Sequence, residues 1–295
     1  MLLSAFIGTL EEGLVYAVLA LGVYITYKIL DFPDLSVDGT FPLGAAVTAV
    51  LIKSGVNPLL TLPISFLVGA LAGMLTGIIH VKFKVRDLLS GIIMMTALYS
   101  VNLRIAGANL PIFSKETIFD NAFLNRVIPE GLRKYSTVII LLIIVAVMKL
   151  GLDIYLKTKS GYLLRAVGDN DTLVTSLAKD KGIVKIIGLS LANAFVSLAG
   201  SILCQKNAVF EISNGTGSMV FGLASVIIGV NLFKRVSFVK ATTAVIIGSV
   251  LYKACVYVAI AAGLVPQDMK LITSVLFLGI LIVSNDRRRK VKTNA

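Results

Sequence analysis

Two stretches of this chain place helix-capping and hydroxyl side chains where the sequence is otherwise apolar. The first, Asp31-Phe32-Pro33-Asp34-Leu35-Ser36-Val37-Asp38-Gly39-Thr40-Phe41-Pro42, is polar and broken by proline and glycine. Within it Asp38-Gly39-Thr40 opens a run of small residues, Gly44, Ala45, Ala46, Thr48 and Ala49. The second is Asn214-Gly215-Thr216, followed by Ser218, and it opens a similar run of Gly222, Ala224, Ser225 and Gly229. A helix that begins inside a membrane leaves its first amides without partners, and Asp38 or Asn214 can cap them while offering a polar rim to water. Asp34, in the preceding loop, is expected to matter less than Asp38. A third polar stretch, TKSGYLLRAVGDNDTLVTSLAKDKGI over residues 157–183, reads as a short helix capped by Asp169, Asn170 and Asp171, running to about Lys179 and ended by Gly182.

Other reactive residue types are sparse. Ionisable groups inside apolar runs are Lys149 and Lys253, with Arg104 and Glu211 nearer the edges. Lys149 can reach Asp153 one turn on, which makes its role structural, whereas Lys253 has no local partner in sequence. His80 falls at the end of a run, beside Lys82. Cys204 and Cys255 lack metal-ligand spacing and read as packing residues. No H-e-x-x-H pattern, no G-x-S-x-G and no paired carboxylate within a span occurs, so nothing points to catalysis or to a metal. There is also no G-x-x-x-x-G-K-[ST] loop to hold nucleotide phosphates.

The elements that must position these residues are membrane spans. The 295 residues are 57% hydrophobic and 15% charged, with mean hydropathy +0.91, which excludes a soluble globular protein. Apolar runs mark nine spans, at 13–30, 37–52, 58–80, 88–106, 136–156, 184–204, 217–233, 239–262 and 269–284. The expectation is an all-α, polytopic transmembrane bundle, a single domain over 1–295 with discontinuous helices. The first twelve residues carry Glu11 and Glu12 and no basic segment, which argues against a signal peptide and suits a stretch lying along the membrane surface. An odd span number puts the termini on opposite sides, and the basic tail over 285–295 places the C-terminus inside and the N-terminus outside. Eighteen of the 28 Lys and Arg residues then fall on inside segments, so the net charge of +12 reflects topology and lipid headgroups, with no call for nucleic acid. The outside loop at 107–135 suits a lid or a docking surface for an extracellular partner. The Asp38 and Asn214 starts lie 176 residues apart and run in opposite directions on this topology, which reads as an inverted repeat meeting at a pathway.

The inner loop resembles that of ATP-binding cassette (ABC) importer permeases of the branched-chain amino acid and ribose group. The resemblance rests on Ser160, Gly161, Leu164, Arg165, Ala166, Gly168, Asp169, Asn170, Gly182 and Ile183. In that family the short helix seats in a groove of the ATPase, which implies coupling roles for Arg165, Gly168, Asp169, Asn170, Lys179 and Gly182. The Asp-Leu-Ser-Val-Asp-Gly-Thr stretch ending at Thr40 is similar to a subgroup often linked to aromatic amino acids. The resemblance implies a permease subunit in a bacterial cell membrane that carries a small solute, an amino acid among the candidates, delivered by an extracellular binding protein. It implies separate ATPase subunits that hold ATP and Mg, and a second copy of this chain; the chain itself would hold no cofactor. The pathway would be walled by Asp38, Gly39, Thr40, Asn214, Gly215, Thr216 and Ser218. The rival class is an ion-coupled secondary transporter, which usually carries carboxylates or histidines at span centres.

Overall fold

The computed structural model describes residues 2–121, 135–169, 180–234, 236, 238–261, 271, 273–275, 277–279 and 282. Among them seven helices are long and apolar enough to cross a membrane, at Phe6–Ile29, Pro58–Lys82, Asp87–Ala106, Ser136–Tyr155, Lys181–Asn207, Ile212–Leu232 and Ala241–Ala261. An eighth expected span appears as Val37–Lys53, whose 17 residues reach only about 25 Å. The ninth, 269–284, lies largely outside the described residues.

In chain order the helices are α1 (Leu2–Val23, continued by a π turn over Tyr24–Ile29), α2 (Val37–Lys53), α3 (Pro58–Lys82), α4 (Asp87–Ala106), α5 (Ser136–Tyr155), α6 (Lys159–Asp169), α7 (Lys181–Asn207), α8 (Ser218–Leu232) and α9 (Ala241–Ala261). Strand β1 (Asn109–Pro111) pairs antiparallel with β2 (Val209–Glu211), Leu110 facing Phe210. The bundle is therefore all-α apart from one short ribbon. That ribbon uses residues 109–111 of the 107–135 segment; residues 122–134 lie outside the described set. The N-terminal stretch also differs from expectation. Among the described residues it forms the first turns of α1 without a break.

The core is built around α7, and 78% of its most apolar window is buried, against 22% for α5 at the periphery. Lipid tails are as apolar as leucine, so helices inside a membrane associate through close packing and hydrogen bonds rather than through exclusion of water. The sequence of α7 meets both demands. Gly44 of α2 lies against the Ser197 carbonyl, Gly69 and Gly73 of α3 against the Asn193 and Leu189 carbonyls, and Gly200 of α7 against the Phe41 carbonyl. Between these contacts runs a polar seam. Thr48 Oγ1 donates to Ser201 Oγ at 2.6 Å, Ser65 and Ser197 exchange hydroxyl-to-carbonyl bonds at 2.9 and 2.8 Å, and Gln205 Nε2 donates to Thr61 Oγ1 at 3.0 Å. Each such bond contributes about 0.6 kcal/mol.

Helix α1 packs between α7 and α9. Gly22 abuts the Ala192 carbonyl, and Ser249 Oγ donates to the Gly13 carbonyl at 2.8 Å. At the end of the bundle where α1 finishes, α6 closes in, with Gly168 against the Ile29 carbonyl and Leu164 wholly buried. The ribbon sits at the opposite end, where Phe210 and Ile112 pack on Ala49 and Ile52 of α2.

Candidate functional site

The chain between α1 and α2 does not stay at the bundle's end. Asp34 Oδ2 accepts from Asn193 Nδ2 at 2.7 Å and Ser36 Oγ donates to Asn193 Oδ1 at 3.3 Å, which brings this irregular backbone to the middle of α7. Asp34 Oδ1 also accepts from the Ser36 amide at 2.9 Å. Backbone without helix or sheet is tolerated at such depth only where protein or water satisfies it, and Asp34 and Asn193 supply the partners. Asp34, expected to be an ordinary loop residue, is wholly buried and anchors the start of α2.

Asp38 was expected to cap its own helix. It caps another. It lies in the first turn of α2, and its carboxylate reaches across to the start of α8: Oδ2 accepts from the Gly217 amide at 3.0 Å, while Oδ1 accepts from the Met219 amide at 2.8 Å and the Ser218 hydroxyl at 3.0 Å. Gly217, at φ 88°, turns the chain into α8, a conformation open to glycine at little cost. Gly215 meets the Asp38 carbonyl and the Pro42 ring with no room for a Cβ. Two helix N-termini, each with partial positive charge, thus converge on one carboxylate in the bundle interior.

Asn214 does not cap α8. It sits half-exposed in a separate 3₁₀ turn, Ile212–Gly215, and the helix starts at Ser218. Thr40 is wholly buried, its hydroxyl returned to the Ser36 carbonyl at 3.0 Å.

Beside the Asp38 junction lies a cavity of about 540 Å³ between α2, α4 and the approach to α8. Asp38, Gly39 and Pro42 line one wall, Met95, Thr96, Tyr99 and Asn102 another, and Ile212 and Thr216 the rim. The cavity therefore gathers Asp38, Gly39 and Thr216 from the expected pathway set, with Gly215 and Ser218 forming the junction behind them. Tyr99 and Asn102 were missed in the sequence, although a buried asparagine inside an apolar span is itself a signal of function. Asn102 Nδ2 donates to the Gly39 carbonyl at 3.0 Å, while its Oδ1 is buried with no hydrogen-bond partner.

A second polar cluster sits apart from the cavity. Lys253, expected to lack a partner, donates to Glu12 Oε2 at 3.0 Å, and its Nζ lies 4.1 Å from the Tyr16 ring centroid and 4.6 Å from that of Phe221. The partner comes from the opposite end of the chain, which local reading could not show. Lys149 pairs with Asp153 at 3.2 Å as its spacing implies, and Asp153 also accepts from Lys240 at 3.1 Å and Thr242 at 2.7 Å. Cys204 is buried, and Cys255 is exposed on the surface of the bundle. Among the described residues no group of His, Cys, Asp and Glu could hold a metal ion.

Within the inner polar stretch the described helix is α6, Lys159–Asp169; the short helix expected from Asp169 to about Lys179 lies outside the described residues. Gly182 opens α7 rather than closing a helix, and Asp180 Oδ1 accepts from its amide at 2.8 Å. Asn170 and Lys179 lie outside the described residues. On α6, Gly161, Leu164 and Val167 face the bundle while Tyr162, Arg165 and Asp169 are exposed.

A model of the family described as branched-chain amino acid transport system / permease component matches residues 6–284. The chain is 40% identical to the tyrosine transport system permease protein of Clostridioides difficile over 99% of its own length and 96% of that protein's. It is 27% identical to a probable branched-chain amino acid transport permease of Methanocaldococcus jannaschii, over 72% of this chain and 69% of the relative. The ribose import permease of Escherichia coli K12 is 25% identical over 75% of this chain and 67% of its own. No solved structure matches the chain.

Proposed function

Because this chain belongs to the branched-chain amino acid transport permease family, we propose that it forms the translocation pathway of an ABC importer for an amino acid. Two copies would bind two ATPase subunits, which hold ATP and Mg, and would receive solute from an extracellular binding protein. The observation that carries this reading is the meeting of α2 and α8 at Asp38 beside an interior cavity. Helix N-termini that meet within a membrane protein mark a place where polar solutes are handled.

The exposed face of α6, with Tyr162, Arg165 and Asp169, is the surface for the ATPase, on the side that carries the basic segments. Aromatic amino acids are the substrate class favoured by the tyrosine permease relative.

The test is uptake into proteoliposomes holding this chain with its ATPase. Radiolabelled tyrosine with binding protein should accumulate only when ATP is present at the ATPase face, and a protonophore should leave uptake intact. Uptake without ATP that collapses with the protonophore would instead assign ion coupling.

A further inference from the structure

Three cavities among the described residues differ in what they could hold. One, about 680 Å³ between α3, α5 and α7, is walled almost wholly by aliphatic and aromatic side chains such as Phe66, Val147 and Phe195. Another, about 210 Å³ beside Lys253 and Glu12, falls below the roughly 300–1,000 Å³ of ligand sites, and its two charges already neutralise each other. The 540 Å³ cavity at Asp38 combines sufficient size, apolar walls and convergent polar groups.

Its chemistry is specific. Asp38 brings a carboxylate, and no Lys or Arg lines the cavity, so the site favours a cationic group over an anion. Asn102 adds an acceptor whose orientation is fixed, because Nδ2 must face the Gly39 carbonyl and Oδ1 is left over. A buried amide oxygen without a partner is destabilising, a penalty that an incoming N–H donor removes. Beside these groups the exposed Tyr99 ring and the Met95 and Pro42 side chains add apolar surface suited to a flat ring. Thr216, exposed at the rim, offers a hydroxyl to a carboxylate.

We propose that this cavity is a solute-holding station inside the membrane domain for an aromatic amino acid. The solute's ammonium group is held by Asp38 and Asn102 Oδ1, and its ring lies against Tyr99, Met95 and Pro42. The proposal rests on the importer reading and adds that the permease itself, and not the binding protein alone, selects the solute.

The experiment uses the permease with its ATPase in nanodiscs, without binding protein, and equilibrium dialysis of radiolabelled L-tyrosine. Saturable binding is expected, competed by L-phenylalanine and by tyramine, which keeps the amine, but not by N-acetyl-L-tyrosine or ribose. Tyr99→Ala should weaken binding at least tenfold and Tyr99→Phe should restore it. Asn102→Leu should weaken it similarly, and Tyr99→Ala keeps the test alive if loss of the Gly39 contact impairs folding. Absence of saturable binding, equal competition by N-acetyl-L-tyrosine, or unchanged affinity in Tyr99→Ala each overturns the station. A parallel arm separates this from failure of the pathway itself. In a Cys255→Ser background, Thr216→Cys should react with a small water-soluble thiol reagent, and its rate should change when ATP binds. Labelling without tyrosine binding removes the station and leaves the pathway; no labelling removes both.

Discussion

Asp38 and Gly217 are joined by a hydrogen bond of 3.0 Å across 179 residues, so the first turn of one helix supplies the cap of another. Removing that carboxylate strips α8 of acceptors for two amides and a hydroxyl at once. We expect Asp38→Ala to lower thermal stability by about 1–2 kcal/mol, the upper part of the range for a lost cap, and to abolish uptake. Asn214→Ala should change neither by a measurable amount, because Asn214 does not cap α8. Asp34→Ala should destabilise at least as much as Asp38→Ala, since it leaves Asn193 and the Ser36 amide unpaired in the interior. Melting curves in detergent of the three variants check this order.

The Lys253 and Glu12 pair is asymmetric. The lysine side chain is 6% exposed and the glutamate 47%. Glu12→Gln therefore leaves a buried cation without its counter-charge and should destabilise by about 3–5 kcal/mol. Lys253→Met leaves a half-exposed carboxylate and should cost clearly less, and the double variant should recover most of the loss seen in Glu12→Gln. A double-mutant cycle by chemical unfolding in mixed micelles reads the coupling. Additive losses would show that the pair contributes nothing.

Glycines of α3 and α5 are predicted to divide by what stands opposite them. A Cβ at Gly73 would press on the Leu189 carbonyl and come within 2.7 Å of Asn193 Cβ, so Gly73→Ala should push α3 off α7 at a cost of about 1–3 kcal/mol. Gly151 of α5 has open space around it, and Gly151→Ala should be neutral or slightly stabilising. Monodispersity on size-exclusion chromatography and melting temperature distinguish the two.

Helix α6 carries two faces with separable effects. Arg165→Glu alters an exposed position and should leave the fold intact while ATP hydrolysis loses its dependence on transported solute. Leu164→Asp places a charge at a wholly buried position and should prevent folding. Stimulated ATPase activity of the reconstituted complex, set beside its expression level, checks both. An unchanged stimulation in Arg165→Glu would take the ATPase contact off this face.

The spans were legible because each needs about 20 apolar residues, and that pattern survives any tertiary arrangement. The starts of α2 and α8 were visible for a similar local reason, since glycine, proline and acidic residues interrupt runs that otherwise continue. What Asp38 binds was not visible. A capping residue announces that some helix begins nearby, but its carboxylate carries no label for which one, and here the nearer helix start is held by Asp34 and Asn193 instead. Lys253 posed the same difficulty, its counter-ion lying on the first span. In the inner stretch Gly182 reads as a helix end because glycine is common there, whereas it opens α7 with its amide bound by Asp180.

The distance in sequence between Glu12 and Lys253 has a consequence for how the protein is made. Ribosomes add about 5–20 residues per second, so the 241 residues between the two take roughly 12–50 s to synthesise. Throughout that interval the first span holds an acid whose counter-ion does not yet exist, and its Gly13 carbonyl lacks the Ser249 hydroxyl that will bind it. The N-terminal helix must therefore wait at the insertion machinery or in lipid in a provisional position. Its final seat forms only when α9 arrives, because the Ser249 and Lys253 side chains that bind it lie there.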